Sequence, residues 1–101
     1  MNLLRIPYDR GVLLVPPEQI IRIESMSNYS KIYFTGYRPM VVAKVLCWFE
    51  ERLPQQMFAR VHRSHLVNRL FVKETDENNI ILLSNGEKIA MSRRKKIILA
   101  A

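Results

Sequence analysis

A single, mainly β domain is what this chain predicts, and three features of the sequence lead there. Apolar residues come in short runs, several of them alternating with polar ones at the period of a half-buried strand. Gly, Asn, Asp and Pro separate these runs where turns are needed. Helical spacing is convincing in one stretch only, where Leu46, Phe49 and Leu53 recur at i, i+3 and i+7. At 101 residues, 49% apolar and 25% charged, the chain has the size and composition of one domain around one core, taken as residues 1–101.

Taken in order, residues 3–6 and 12–15 are β-favouring and are joined by the turn-forming residues 7–11, which predicts a hairpin. Pro16 and Pro17 end it, and residues 17–19 have room for one helical turn. Residues 20–25 alternate, with Ile21 and Ile23 expected on one face and Arg22 and Glu24 on the other. A polar loop over residues 26–30 should lead to a strand at 31–34, a turn at 36–39 and a strand at 40–42. The amphipathic helix is expected over residues 44–53, stopped by Pro54, with Cys47 as a packed thiol on its flank.

Residues 58–61 suit a strand that turns Ala59 and Val61 to a core and Arg60 and His62 outward. Arg63, Ser64 and His65 interrupt the alternation before Leu66 and Val67 restore an apolar anchor and Asn68 ends a tight turn. The expected object is a basic corner pinned at both ends, which can present a guanidinium with little loss of entropy on binding. Further on, residues 70–72 continue as a strand, 73–79 form a polar turn, and 80–83 and 88–91 make a hairpin around Asn85-Gly86. Ser92 is placed to cap a short terminal helix carrying Arg93, Arg94, Lys95 and Lys96. Cations in the first turn of a helix oppose its dipole unless an anion such as phosphate lies nearby.

Charge narrows the class of partner. There are 16 Lys and Arg against 9 Asp and Glu, a net +7 with a pI near 10.0, and residues 58–73 and 88–101 contain no acid at all. Such a surface favours polyanions. The single Cys47 forms no internal disulfide, and no apolar run is long enough for a spanning helix or a signal-peptide core, so a cytoplasmic protein without membrane contact is expected. No cofactor is expected. His62 and His65 lack the further ligands of a zinc site, and Ser64 beside them has neither a nucleophile elbow nor an orienting acid, so an enzyme is not expected. Two binding alternatives to DNA remain: a basic protein-interaction module, and an RNA-binding sheet that stacks bases on Tyr29, Tyr33 and Phe34.

Four motifs then sharpen the reading: Ile21-x-Ile23-Glu24-Ser25 followed by Asn28-Tyr29; Leu53-Pro54; Phe58-x-Arg60-Val61-His62-Arg63-Ser64-x-Leu66-Val67-Asn68; and Leu83-x-Asn85-Gly86-Glu87-x-Ile89-x-Met91-Ser92-Arg93-Arg94. Together, and in this order over nearly the whole chain, they closely resemble the LytTR DNA-binding domain. The resemblance implies an elongated, antiparallel β domain of bacterial transcription regulators that reads double-stranded DNA with loops. It places DNA contacts on Asn28, Ser30 and Lys31, on Arg63 with Ser64, and on Ser92, Arg93, Arg94, Lys95 and Lys96; Arg60, on the outward face of the strand before the corner, is expected to join them, and His62 and Asn68 are expected to give structural support. It also implies binding to direct repeats by two copies. A receiver domain usually precedes the family's domain; 101 residues leave no room for one, so this is expected to be either the output domain of a longer response regulator or a freestanding one.

Overall fold

The computed structural model describes residues 2–92. Its centre is a five-stranded antiparallel sheet in the order β5-β4-β3-β7-β6, formed by β3 (Ile20–Met26), β4 (Tyr29–Phe34), β5 (Met40–Val42), β6 (Phe58–His62) and β7 (His65–Asn68). An N-terminal hairpin, β1 (Leu4–Tyr8) and β2 (Gly11–Val15), stands before it. A three-stranded antiparallel sheet, β8 (Val72–Thr75), β9 (Ile80–Leu83) and β10 (Lys88–Ala90), follows it. The helix α1 (Leu46–Arg52) lies between β5 and β6 in the chain, so it carries the chain from one edge of the central sheet to the other. The molecule is elongated, 44 × 27 × 23 Å.

Two cores hold these layers, one on each face of the central sheet. Leu46, Phe49 and Leu53 from the helix region, Leu4, Ile6 and Val15 from the hairpin, and Ile23, Ile32 and Leu66 from the sheet make the first. Ile81, Leu83 and Ile89 pack with Ala59, Val61 and Val67 in the second. Burial on both faces of the central sheet explains why apolar residues from either face of its strands, such as Phe58 and Ala59 or Leu66 and Val67, are buried side by side in the chain. Ile21 and Ile23, expected to share a face, belong to different cores. The reason is a β-bulge between Ile20 and Arg22, which breaks the two-residue period. Arg22 keeps the face opposite Ile23, together with Glu24, and is buried there beside Tyr33 and Glu87.

Other differences have local causes. The loop expected at 26–30 contracts to Ser27 and Asn28, because Met26 pairs with Tyr29 and Ser25 with Ser30. The helix is shorter than expected at its N-terminal end, where Val45 stands at the cap position and has no side-chain acceptor to offer the first-turn amides; the Leu53 amide still closes on the Phe49 carbonyl before Pro54. Cys47 is exposed, not packed, since it is displaced around the helix from the buried Leu46 and Phe49. Residues 69–71 form a 3₁₀ turn where a strand was expected, because the Asn68 side chain accepts the Leu70 amide at 2.9 Å and bends the chain. The polar turn at 73–79 shrinks as well: β8 runs to Thr75, and Asp76 Oδ1 organises the remainder by accepting from the Asn78 and Ile80 amides. The expected terminal helix lies outside the described residues.

Candidate nucleic-acid interface

Antiparallel pairing brings the predicted contact residues to one end of the central sheet. Glu24 on β3 faces His65 on β7, so the turn after β3 and the turn before β7 project in the same direction. The Ser25 amide donates to the Ser64 carbonyl at 2.9 Å and ties the two turns together. The Ser92 amide donates to the Val61 carbonyl at 2.7 Å, which starts the C-terminal segment beside the same end of β6. Asn28, Arg63, Ser64 and Ser92 are thus brought together, while Arg93, Arg94, Lys95 and Lys96 lie outside the described residues.

The β6–β7 turn is built around residues on its own strand. Arg60 donates through Nε to the His62 carbonyl at 3.0 Å and through Nη2 to the Arg63 carbonyl at 2.6 Å, while its Nη1 meets Glu50 at 2.8 Å. Arg60, expected at the DNA, therefore has its guanidinium committed within the protein and its side chain largely covered. His62 Nδ1 accepts the Ser64 amide at 3.1 Å, which requires the neutral imidazole at that nitrogen. Asn68, fully buried, donates to the Ile20 carbonyl at 2.8 Å and so pins β7 against the start of β3. Arg63 itself is exposed, and its guanidinium meets no partner among the described residues.

The β3–β4 turn has another character. Ser27 adopts φ 57°, a left-handed conformation that is costly for a residue with a Cβ. Asn28 is exposed, and Lys31 is half-buried with its ammonium 5.3 Å from the Tyr33 ring centre. Ser30 departs from the expectation of a DNA contact: it is fully buried, and its hydroxyl donates to the Lys44 carbonyl at 2.6 Å. Ser30 lies on the helix side of β4, next to Val42, so its task is to hold the chain leaving β5.

Sequence reasoning missed Arg22. Its guanidinium lies 3.7 Å from the centre of the Tyr33 ring, meets Glu87 at 2.7 Å and 3.2 Å, and reaches Glu24 at 2.9 Å. Burial opposes the charge on Arg22, but the hydrogen bonds to Glu87 and Glu24 outweigh it and hold the guanidinium protonated beyond its ordinary range. The same bond holds the Glu87 carboxyl below its usual value, against its partial burial. This network fastens the β9–β10 turn to β3. Its only sequence signal was the presence of Glu87 in the Asn85-Gly86-Glu87 motif, 65 residues from Arg22. Tyr33 under Arg22 and Phe34 against the helix-side core are both occupied, which removes two of the three aromatics that an RNA-stacking sheet would use.

The fold and the site define a small β domain that displays hairpin turns, one of them carrying a free arginine, at a single end. The chain belongs to the LytTr DNA-binding domain family, whose model matches residues 10–100. A solved LytTr DNA-binding domain from Bacillus cereus superimposes with a TM-score of 0.76 at 22% identity, covering 93% of this chain and 89% of that one. Among curated proteins, the transcriptional regulatory protein LytR of Staphylococcus aureus (strain N315) is 26% identical over 94 residues, and the sensory transduction protein LytT of Enterococcus faecalis is 30% identical over 86. Those alignments take in 89% and 81% of this chain but only 38% and 35% of the relatives. No helix among the described residues is long and apolar enough to cross a membrane.

Proposed function

We propose that this domain binds double-stranded DNA sequence-specifically as the output part of a bacterial transcription regulator, entering the major groove with its hairpin turns and without enzymatic activity. The observation that carries this reading is the Arg63-Ser64 turn. Its backbone is fixed by Arg60, His62 and Ser25 while the Arg63 side chain stays free. A preorganised guanidinium fork matches the paired acceptors of guanine in the major groove. Asn28 and Ser64 supply neighbouring polar contacts. Ser92 and the cations at 93–96 take phosphates, with Arg94, Lys95 and Lys96 as anchors that carry no sequence information.

Two copies would sit on direct repeats in the cytoplasm, and the length of the regulatory relatives supports a receiver domain elsewhere in the parent protein. Selection from a pool of random duplexes at moderate salt tests the reading. An enriched motif is the expected result; retention of all duplexes alike, falling together with added salt, would reduce the domain to a nonspecific polyanion binder.

A further inference from the structure

Two large side chains beside the β3–β4 turn are left largely uncovered by the described residues. Met26 and Tyr29 are directly paired across the hairpin and are 43% and 50% exposed. Singly exposed apolar residues need no explanation, but a cross-strand pair places both side chains on one face of the hairpin, next to each other. Their surroundings select the occupant. Lys31 lies on the same face as Tyr29, and Arg63 projects from the same end. The nearest acid on that face, Glu24, is already bound by Arg22. An apolar pair within a cationic rim fits an anionic partner that also displays small apolar groups.

We propose that Met26 and Tyr29 form a contact for the C5-methyl groups of thymine in the major groove, and so determine part of the sequence specificity. This rests on the reading of the domain as a double-stranded DNA reader and adds an apolar component to it. The methyl group is the apolar feature of the major-groove edge, and it separates thymine from the other bases. Asn28, at the apex, would place its amide on the adjacent base while the pair behind it covers the methyl. The contact needs no hydrogen bond, which is why residues outside the polar set carry it.

The test compares thymine with deoxyuridine, which lacks only that methyl. Each thymine in the selected duplex is replaced in turn, and the binding of the unaltered domain is measured alongside Met26→Ala, Tyr29→Ala and Tyr29→Phe. At one or two positions deoxyuridine should weaken the unaltered domain about fourfold, the effect of uncovering one methyl group. Met26→Ala or Tyr29→Ala should lose a similar factor on the thymine duplex and little more on its deoxyuridine counterpart, with melting temperatures close to that of the parent. Tyr29→Phe should bind as the parent does.

Indifference to deoxyuridine at every position, a selected site without thymine, or equal losses by the variants on both duplexes would overturn the apolar contact. If Arg63→Ala still relaxed selectivity in such a case, the base-reading function would stand without it. A loss in Tyr29→Phe as large as in Tyr29→Ala would transfer the role to the phenol hydroxyl and also overturn the proposal. If no duplex is enriched at all, both the function and this contact fail.

Discussion

The two turns that meet at the basic end are equally short, yet they are built in opposite ways. Arg63 and Ser64 are held by hydrogen bonds from Arg60 to two carbonyls, from the Ser64 amide to His62, and from the Ser25 amide to the Ser64 carbonyl. At the other tip, among the described residues, no side chain bonds to Ser27 or Asn28, Ser27 is left-handed, and Met26 and Tyr29 stand exposed. The first turn is rigid before any partner arrives; the second gains order only from its strands. A fixed turn suits a contact that demands exact geometry, because little entropy is lost on binding, and a looser one suits apolar contact that tolerates small displacements.

The largest effect should come from untying the rigid turn. Arg60→Ala removes the donors that hold the His62 and Arg63 carbonyls and leaves Glu50 without its partner, so it should cost about 2–3 kcal/mol of stability and lower specific affinity as well. Thermal melting and binding to the selected duplex check this. Asn28→Ala, at the looser tip, should change stability by less than about 0.5 kcal/mol. A similar destabilisation by both would mean that the tips do not differ in construction.

Arg63→Ala comes next. It should leave the melting temperature nearly unchanged and cost about 1–3 kcal/mol at the selected site, with relaxed preference at one base pair. Arg63→Lys should restore charge but only part of the selectivity, because an ammonium lacks the planar fork. Equal losses on all single-base variants of the duplex would make Arg63 a phosphate contact.

How far the sequence reveals this end depends on the kind of information each residue needs. The corner at Arg63 was legible because strand alternation stops there and an apolar anchor follows, both local signals. Residues 80–83 and 88–90 were legible for the same reason, through Asn85-Gly86. The commitment of Arg60 was not legible, since nothing in an exposed-looking strand position says that its guanidinium will fold back on its own turn. Ser30 was misplaced because a hairpin register set by tertiary pairing puts it on a buried strand face, and the burial of Arg22 was not legible because the Glu87 that covers it comes from 65 residues away.

A fall in pH should act on the rigid turn and spare the other. His65 pairs with His62 across β6 and β7, with ring centres 5.4 Å apart, and its Nδ1 is buried without a hydrogen bond among the described residues. Burial lowers its pKa below the usual 6.5; Glu24 pulls it up, but His62 and Arg22 add to the lowering. The unfolded chain therefore binds the proton more readily, and stability declines as pH falls below about 6.5, levelling off once the folded imidazole is also protonated. A second loss, through Glu87, belongs to pH below its ordinary 4.5, because its carboxyl is held ionised by Arg22. Melting curves at pH 7.5, 6 and 5 for the parent and His65→Phe check the first window. A pH response unchanged in His65→Phe would remove His65 as its source.

The smallest effect gives the sharpest contrast, because its sign should differ between the tips. Ser27 sits at φ 57°, where a Cβ costs about 1–2 kcal/mol and glycine costs little. Against that relief stands the extra freedom of glycine in the unfolded chain, worth roughly 0.5–1 kcal/mol. Ser27→Gly should therefore stabilise the domain by about 0.5 kcal/mol, a rise of about 2–4 °C in melting temperature for a domain of this size. Ser64 is not among the residues with positive φ, so Ser64→Gly gains no such relief and should lower the melting temperature by a similar amount. Affinity should move the other way for the loose tip, with Ser27→Gly weakening binding slightly because a freer turn has more to lose on the DNA. If Ser27→Gly instead lowers the melting temperature, the left-handed residue is supported by its surroundings, and the β3–β4 tip is as firmly built as the one that carries Arg63.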